Sequence, residues 1–209
     1  MTVRRLTATL ALALIASPTL AQEETRPEDQ GATGPLLNIE GQQLGNVSVA
    51  TSPNGGTLVL GNAEGFPEGT YGVHLHQVGT CEIPDFESAG DHIGAGETEH
   101  GILSEGGPHA GDLPNVHVQA DGIMVFDAFA PRVSEEVLFD QDGTALIVHA
   151  DRDDYASQPG GESGARIACA VLVPAPGTRT DETVDAEEAA ATEGGGAAAT
   201  DGEQPGEGQ

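Results

Sequence analysis

Five of the seven histidines in this 209-residue chain fall within 39 consecutive positions that end at Asp112. Most of that segment is glycine-rich loop, and a loop of such length inside a compact domain needs something to hold it in place. Metal ligation would supply that constraint. Imidazoles with one aspartate suit borderline ions such as zinc and copper, whereas calcium and magnesium prefer oxygen ligands. The segment therefore predicts a transition-metal site, with candidate ligands at His74, His76, His92, His100, His109 and Asp112.

His74 and His76 lie two positions apart in residues 71–77, a run that alternates as a strand does. A period of two places both imidazoles on one face of the strand and Val73 and Leu75 on the other. One face can therefore hold a metal ion while the other packs into a core.

The start of the chain has the pattern of a secretory signal peptide. Residues 1–21 contain Arg4 and Arg5, then a short apolar run, then small residues. The apolar run is too short to span a bilayer, and no cysteine near Ala21 offers a lipid anchor. Export through either the general secretory or the twin-arginine route predicts a periplasmic or secreted protein without a membrane anchor.

The rest of the chain divides by composition. Residues 22–34 are polar and are predicted to be a flexible N-terminal segment. Residues 176–209 are predicted to be a disordered acidic tail, because from residue 175 onward there are nine acidic residues, one arginine and no aromatic residue. Residues 35–175 remain as one domain, of an ordinary size for a single core.

The charge balance excludes some partners. The chain has 34 acidic residues against seven basic ones, all arginine, and a formal net charge of −27. Nucleic acid and anionic membrane surfaces are therefore not expected as partners. A saline habitat, a need for solubility or weak cation binding by the tail would each account for such acidity.

The two cysteines, Cys81 and Cys169, are 88 positions apart. In an exported protein an even pair predicts a disulfide. The alternative is two buried, unreactive thiols.

The domain is predicted to be all-β. Short strand-like segments alternate with turns, and residues 53–56 are a hairpin signal. About eight strands and no credible helix predict an antiparallel barrel or sandwich. The segments are 36–40, 43–51, 56–61, 71–77, 113–120, 123–130, 144–149 and 166–173, with a brief additional pairing expected at 137–140.

Seven short motifs in this domain resemble those of the copper/zinc superoxide dismutase family, of the exported bacterial type. They are His74-x-His76, Gly79-x-Cys81, Ser88-Ala89-Gly90-x-His92, His100-Gly101, His109-x-Gly111-Asp112-Leu113, Val148-His149-Ala150-Asp151 and Gly161-x-x-Gly164-x-Arg166-x-Ala168-Cys169. The successive intervals from His92 to Asp112 are 8, 9 and 3 residues, as the family has them. The resemblance covers residues 35–175.

The resemblance implies an eight-stranded antiparallel Greek-key β-barrel with two long functional loops. It implies the dismutation of superoxide to oxygen and hydrogen peroxide, and a disulfide between Cys81 and Cys169. The implied copper ligands are His74, His76, His92 and His149, and the implied zinc ligands are His92, His100, His109 and Asp112. His92 would then bridge the two ions as an imidazolate, since a cation on each nitrogen makes the loss of both ring protons possible.

The resemblance also implies roles for residues around the metals. Superoxide would alternately reduce and reoxidise copper, while His92 takes up a proton and passes it to the departing peroxide. Arg166, whose guanidinium stays charged, would pair with the substrate anion, the alternative being a surface arginine. Asp153 would link His74 to His100, the alternative being a solvated acid.

Several positions depart from the family pattern or lie outside it. Asp91 stands where the family commonly has proline, and Gly160 stands where relatives often carry threonine. Residues 149–166 lack the lysines that often guide substrate. These departures alter the substrate channel and leave the ligand set complete. His117 matches no family ligand and is expected to face solvent.

A rival interpretation is an exported copper-binding or copper-buffering protein that uses the same fold without turnover. It would need the copper-binding histidines but neither the bridging histidine nor Arg166, and the sequence has both. Family members pair through different faces, so the sequence is compatible with a monomer and with a homodimer.

Overall fold

The computed structural model describes residues 31–174. The predicted signal peptide, residues 22–30 of the predicted flexible segment and the predicted acidic tail lie outside the described residues. Within 31–174, no helix has the length and apolar character needed to cross a bilayer.

Nine antiparallel strands form two sheets in the described region. They are β1 (Gly31–Asn38), β2 (Gln43–Thr51), β3 (Thr57–Glu64), β4 (Gly69–Tyr71), β5 (Val73–His76), β6 (Val116–Val118), β7 (Ile123–Ala130), β8 (Thr144–His149) and β9 (Arg166–Pro174). The larger sheet has the order β5-β8-β9-β1-β2-β3-β7, and β4 pairs with β6. The larger sheet curls into a half-barrel, which confirms the predicted all-β antiparallel class.

β4 and β5 are consecutive and join the two sheets. Gly72 separates them, and its N–H donates to Asp151 O while its carbonyl accepts from His149 N, both at 2.9 Å. A single stretch of chain therefore pairs with β6 at one end and with β8 at the other. Counted as one strand interrupted at Gly72, β4 and β5 bring the total to the eight strands predicted from the sequence.

The core lies inside the curled sheet and is built by alternation. Val47 and Val49 on β2 and Val59 on β3 are fully buried, while their sequence neighbours are more exposed. Burying a side chain of this size contributes roughly 1.5–3 kcal/mol. The hairpin predicted at residues 53–56 joins these two strands as expected.

The first strand is longer at its start and shorter at its end than predicted. Residues 31–34, assigned to the flexible segment, belong to β1, which pairs with β2 on one side and β9 on the other. At Gly34 a Cβ would lie 2.0 Å from Val171 O, so glycine permits this close approach. The strand ends at Asn38 because its side-chain Oδ1 accepts from the N–H groups of Glu40 and Gln42, which closes a turn.

Two further predictions from the sequence were wrong in detail. Residues 137–140 do not pair as a strand, since Glu135–Leu138 form the one-turn helix α1 with Leu138 buried. A single turn is too short to show a helical period. The strand predicted at 113–120 is limited to Val116–Val118, because Pro114 has no N–H and the Asn115 N–H donates to Tyr155 Oη.

The predicted disulfide is confirmed. Cys81, in the long loop after β5, is bonded to Cys169 in β9, with 5.8 Å between their Cα atoms. Cys169 packs in a small second hydrophobic cluster with Phe86 and Ile147. The bond therefore attaches the loop that leads to His92 to the barrel wall.

We predict that replacing Cys81 with serine and Cys169 with alanine lowers the free energy of unfolding of the metal-free protein by about 4–5 kcal/mol. On the chain-entropy model a link across 88 residues restricts the unfolded chain by that amount. Urea unfolding of the oxidised wild type, the reduced wild type and the variant measures the effect, with the last two expected to agree. A variant within about 1 kcal/mol of the oxidised wild type would contradict the prediction.

Candidate metal centre

His74 and His76 lie on β5 in the interior of the structure. All four residues of this strand are buried, and it is paired with β8. Val73 and Leu75 belong to the hydrophobic core, so the two imidazoles face the opposite side, as the alternation predicted. The sheet therefore gives both imidazoles a fixed base.

The long loop between β5 and β6 is attached to β5 by backbone hydrogen bonds. Leu75 N donates to Gly111 O, and Ile93 N donates to Leu75 O, both at 2.9 Å. A Cβ on Gly111 would lie 2.3 Å from Leu75 O, so a glycine is needed there. These bonds place His92 and Asp112 beside the histidines of the strand.

Four buried histidines form the first donor group, and their ligand nitrogens all lie within 4.8 Å of one another. In three of them one ring nitrogen is hydrogen-bonded to an oxygen that lies outside both donor groups. His74 Nε2 lies 2.9 Å from Asp153 Oδ2, His76 Nδ1 lies 2.8 Å from Gly90 O, and His149 Nδ1 lies 3.2 Å from Gly164 O. The fourth member is His92.

The opposite nitrogens of these three rings are buried and have no hydrogen-bond partner among residues 31–174. They are His74 Nδ1, His76 Nε2 and His149 Nε2. A neutral imidazole has one N–H and one lone pair, so each bond to an oxygen acceptor puts the lone pair on the unpartnered nitrogen. Three lone pairs thus converge on one place, which is the arrangement that a metal ion requires.

The surroundings keep these imidazoles neutral. Burial lowers the pKa of His74 to about 4, that of His149 to about 3 and that of His76 to about 2. The charges of neighbouring histidines act in the same direction. Neutral imidazole is the form that ligates a metal, so no proton has to be displaced from these nitrogens near neutral pH.

Three imidazoles and one carboxylate form the second donor group. Asp112 Oδ1 lies 2.9 Å from His92 Nδ1, 3.0 Å from His100 Nδ1 and 3.2 Å from His109 Nδ1. His92 Nδ1 and His109 Nδ1 are 3.4 Å apart. Zinc bound tetrahedrally at about 2.0–2.1 Å holds its ligand atoms roughly 3.3 Å apart, so this spacing suits zinc.

Asp112 is oriented by the backbone of its own loop. Its Oδ2 accepts from Gly101 N at 2.8 Å and from His109 N at 2.9 Å, which leaves Oδ1 to the donor group. His74 also lies near this group, within 4.8 Å of it. Its Nε2 is bonded to Asp153 and its Nδ1 faces the first group, whereas His109 Nδ1 lies within 3.4 Å of both Asp112 and His92.

The charges of the second group favour a cation. Burial opposes ionisation of Asp112, but its close contacts with His100 and His92 outweigh that effect and hold the pKa of the carboxyl well below its usual range. Burial likewise lowers the pKa of His100, yet its contact with Asp112 and its hydrogen bond with Asp153 raise that pKa to about 9 overall. Protonated His100 supplies a positive charge beside Asp112 without a metal, and a bound cation would supply it in its place.

His92 is common to both donor groups. Its Nδ1 faces Asp112, as described, and its ring centroid lies 4.1 Å from that of His74 and 4.8 Å from that of His76. On the other side, a Cβ built on Gly160 would lie 3.7 Å from His92 Nε2. His92 therefore borders both groups, with its Nδ1 at the second one.

Asp153 connects the two groups a second time. Its Oδ2 lies 2.9 Å from His74 Nε2, and its Oδ1 lies 3.0 Å from His100 Nε2. The carboxylate is fully buried, and Tyr155 N donates to Oδ1 at 2.7 Å. Burial opposes its ionisation, but the two histidine bonds hold the pKa of Asp153 well below its usual range.

Two residues that the sequence reasoning missed, Asn115 and Gln158, keep this arrangement in place. The Asn115 side chain bonds both the N–H and the C=O of Asp153, each at 2.8 Å. The Gln158 side chain does the same for His100, at 2.9 and 3.0 Å. Gly161, from the last of the motifs quoted above, lies so close to Asp153 that a Cβ there would be 1.8 Å from Oδ1. No local pattern marks Asn115 or Gln158, because their partners lie 38 and 58 positions away.

Arg166 lies at the start of β9 beside a cleft of about 680 Å³. Its Nη1 donates to Phe86 O and its Nη2 to Gly90 O, both at 2.8 Å. The cleft is also lined by His92 and His149. A small ligand that enters it meets one fixed guanidinium and the open side of the first donor group.

The fold and the site together define a class: an antiparallel β-barrel that carries two adjacent metal-binding groups with one histidine in common. The imidazole and carboxylate donors suit copper and zinc. Imidazole suits both copper and zinc, and a closed group of three histidines and one aspartate is typical of zinc.

Comparison with known proteins agrees with this class. A family described as copper/zinc superoxide dismutase matches residues 23–172. A Cu-Zn superoxide dismutase of Aquifex aeolicus is 37% identical over 151 residues, covering 69% of this chain and 88% of the relative. The Cu-Zn enzyme of Caulobacter vibrioides is 39% identical over 148 residues, covering 68% and 84%.

Solved structures show the same likeness. A superoxide dismutase-like protein from Bacillus subtilis is similar with a TM-score of 0.64 and 38% identity, covering 68% of this chain and 99% of that one. For Cu/Zn superoxide dismutase from Brucella abortus the TM-score is 0.55 and the identity 28%, with 68% and 98% covered. The chain belongs to the copper/zinc superoxide dismutase family. It is a superoxide dismutase, with copper and zinc as its cofactors.

Two adjacent glycines offer a test of Asp153, and they differ in that Gly161 also has a φ of +68°. A Cβ on Gly161 would lie 1.8 Å from Asp153 Oδ1 and 2.7 Å from His100 Nε2, whereas a Cβ on Gly160 would come no closer than 3.6 Å to any atom. We predict that Gly161→Ala displaces the carboxylate and lowers zinc affinity about tenfold or more, by analogy with the loss of other groups that support metal ligands. Gly160→Ala should bind zinc as the wild type does. Competition with a zinc chelator measures both, and equal affinities in the two variants would contradict the prediction.

Proposed function

We propose that copper is held by His74, His76, His92 and His149, and that zinc is held by His92, His100, His109 and Asp112. Superoxide would be converted to oxygen and hydrogen peroxide at the copper side. The main support is that three unpartnered, buried nitrogens converge at one group, while at the other Asp112 Oδ1 lies within 3.2 Å of three imidazole nitrogens, one of them from His92.

Bound copper supplies the electron transfer, because one superoxide can reduce it and the next can reoxidise it. His92 supplies a proton position in this proposal. Its Nε2 faces the cleft and can hold a proton for the departing peroxide, while its Nδ1 stays fixed beside Asp112. Asp153 holds the His74 and His100 rings in place while His92 takes up and releases the proton.

Arg166 is proposed to bind the superoxide anion. The carbonyls of Phe86 and Gly90 each take one donor of the guanidinium, so the group is fixed and its remaining donors can reach the cleft. Asp91 and Glu162 also line the cleft and oppose an incoming anion. Arg166 is therefore the attractive group at short range in a mouth that is negative overall.

A copper-buffering protein without turnover is supported less well. Such a protein needs a copper site alone, with no reason for one histidine to serve two donor groups or for an arginine to be fixed at the open side. Both features are present. The main proposal accounts for them and the rival does not.

We also propose that the protein is exported to the periplasm or beyond the cell by the predicted signal peptide. The disulfide supports this, because such bonds persist mainly in oxidising compartments. The proposed catalytic unit is the domain of residues 35–175, to which residues 31–34 add the start of β1. The acidic tail is proposed to contribute nothing to catalysis.

Variants of single ligands should separate the two sites. We predict that His149→Ala loses copper and at least about 99% of the activity while keeping zinc, whereas Asp112→Asn loses zinc first. His117→Leu, which removes an exposed histidine outside both groups, should keep both metals and full activity. Metal analysis and stopped-flow superoxide decay measure the outcome. Retention of copper and activity by His149→Ala would refute the copper assignment.

A second prediction concerns the approach of the anion. Charges more than about 10 Å away are largely screened at roughly 0.1 M salt, whereas a contact of ~4 Å is screened much less. We therefore expect Arg166→Ala to lower kcat/KM about tenfold or more without loss of metal. Arg132→Ala, with the same change in net charge, should leave it nearly unchanged.

Salt gives an independent check on the same point. Because Asp91 and Glu162 oppose the substrate, raising the salt concentration from low to physiological should leave the wild-type rate flat or slightly higher. In the double variant Asp91→Asn, Glu162→Gln the rate should be higher and should fall as salt increases, since the arginine is then unopposed. A steep fall with salt in the wild type would show that the attracting charge lies elsewhere.

A further inference from the structure

A second pocket lies apart from the metal cleft, where β4 and β6 meet the loop after β8. Its volume is about 320 Å³, and it is lined by Thr70, Asn115, His117, Arg152 and Tyr155. None of the five is acidic, although residues 31–174 contain 21 acidic residues and only three arginines. The pocket is therefore an acid-free, cationic patch on a strongly acidic domain.

One wall of the pocket is a pair of exposed side chains on neighbouring strands. Thr70 on β4 and His117 on β6 are register partners, and Thr70 Oγ1 lies 2.9 Å from His117 Nδ1. When the hydroxyl donates to Nδ1, the ring proton is on Nε2. That N–H has no acceptor among the described residues and is free to donate outward.

Arg152 supplies a full positive charge. It is exposed and has neither a hydrogen bond nor an ion pair with any residue in the range 31–174. The other two arginines of the domain differ in this respect, because Arg132 donates to Pro108 O and Arg166 donates to two loop carbonyls. The Arg152 fork, which fits planar or tetrahedral oxyanions with two parallel bonds, is thus available.

The floor of the pocket is preformed. Tyr155 Oη accepts from Asn115 N at 2.7 Å, and its own proton is given to no described group. Tyr155 adopts a φ of 66°, a conformation that costs energy for a residue with a side chain. It is fixed by bonds from its N–H to Asp153 Oδ1 and from Leu103 N to its carbonyl. A ligand would meet these donors already in place, which lowers the entropic cost of binding.

We propose that this pocket binds the phosphate group of a small molecule or free phosphate. Three donors converge there, from Arg152, His117 and Tyr155, while Thr70 fixes the His117 ring, and none of the lining residues is a carboxylate that could compete for them. The surrounding acids repel anions at long range, but that repulsion is screened by salt, whereas contacts inside the pocket are screened much less. The proposal is independent of superoxide turnover, since none of these side chains belongs to a metal group, and Tyr155 contacts Asp153 only through its backbone N–H.

The test uses the full-length, metal-loaded protein with its copper reduced, so that nuclear magnetic resonance signals near it are not broadened. Inorganic phosphate is titrated at constant ionic strength against chloride, and amide shifts are followed. We expect saturable shifts at residues 70, 117, 152 and 155. Arg152→Gln should weaken the binding read out at His117 about tenfold or more, because it removes a charge-assisted contact. Arg132→Gln, with the same loss of charge, should change it less than about twofold.

Each outcome of the titration either supports or overturns the proposed phosphate site. Shifts with glycerol phosphate as well as inorganic phosphate would identify a site for the phosphate group of a carrier, and shifts with inorganic phosphate alone would identify a site for the free ion. The absence of saturable shifts at the pocket, equal binding of acetate, or equal weakening in the two arginine variants would each overturn the proposal. Unchanged superoxide decay in Arg152→Gln and His117→Leu would confirm that the variants fold.

Discussion

Burial of imidazole nitrogens without hydrogen-bond partners is the constraint on which the rest of the structure depends. Among residues 31–174, five buried side-chain nitrogen or oxygen atoms lack a partner, and four of them are histidine nitrogens at the metal centre. One of these, His100 Nδ1, lies 3.0 Å from Asp112 Oδ1 but not in hydrogen-bonding geometry. Each unsatisfied group costs about 1–3 kcal/mol, a large burden against a typical net stability of about 5–15 kcal/mol. Metal coordination compensates for it, so metal binding and folding are coupled here.

The fold lowers the entropic cost of metal binding, because it fixes the donor groups before any metal binds. His74, His76 and His149 lie on the paired strands β5 and β8, where alternation buries them on one side of the sheet. The other donors come from a loop that is bonded to β5 and linked to β9 by the disulfide. The side chains of Asn115 and Gln158 then hold the loop after β8 against the long loop between β5 and β6. Each side chain makes two hydrogen bonds to the backbone of the other loop. The two loops at the metal centre are thus held in position by hydrogen bonds, as the strands are.

Sequence reasoning recovered what depends on local pattern or on motif spacing. Period-two alternation predicted that His74 and His76 share a face, and the solvent-facing position of His117 followed from the same rule. The resemblance supplied the pairing of Cys81 with Cys169, and the proximity of Asp153 to both His74 and His100. Short or capped elements were harder to predict, as at α1 and at the start of β1, since one helical turn has no period and strand pairing overrides polar composition.

What the sequence could not provide is the set of contacts between segments that are distant along the chain. Asn115 reads as one more polar residue after Pro114, and its role appears only when Asp153 is placed beside it. The acid-free pocket at Arg152 and His117 likewise depends on how the loop after β8 folds over β6. Both features arise from packing, for which single-sequence patterns carry no signal.

The central claim is that His92 serves both donor groups through its two ring nitrogens. The most direct measurement is electron paramagnetic resonance of the protein with Cu(II) in both groups. If the imidazolate of His92 joins the two ions, their unpaired electrons couple through it, and the signal intensity should fall well below that of two independent Cu(II) ions as the temperature is lowered. Two independent Cu(II) signals of full intensity at every temperature would contradict the account.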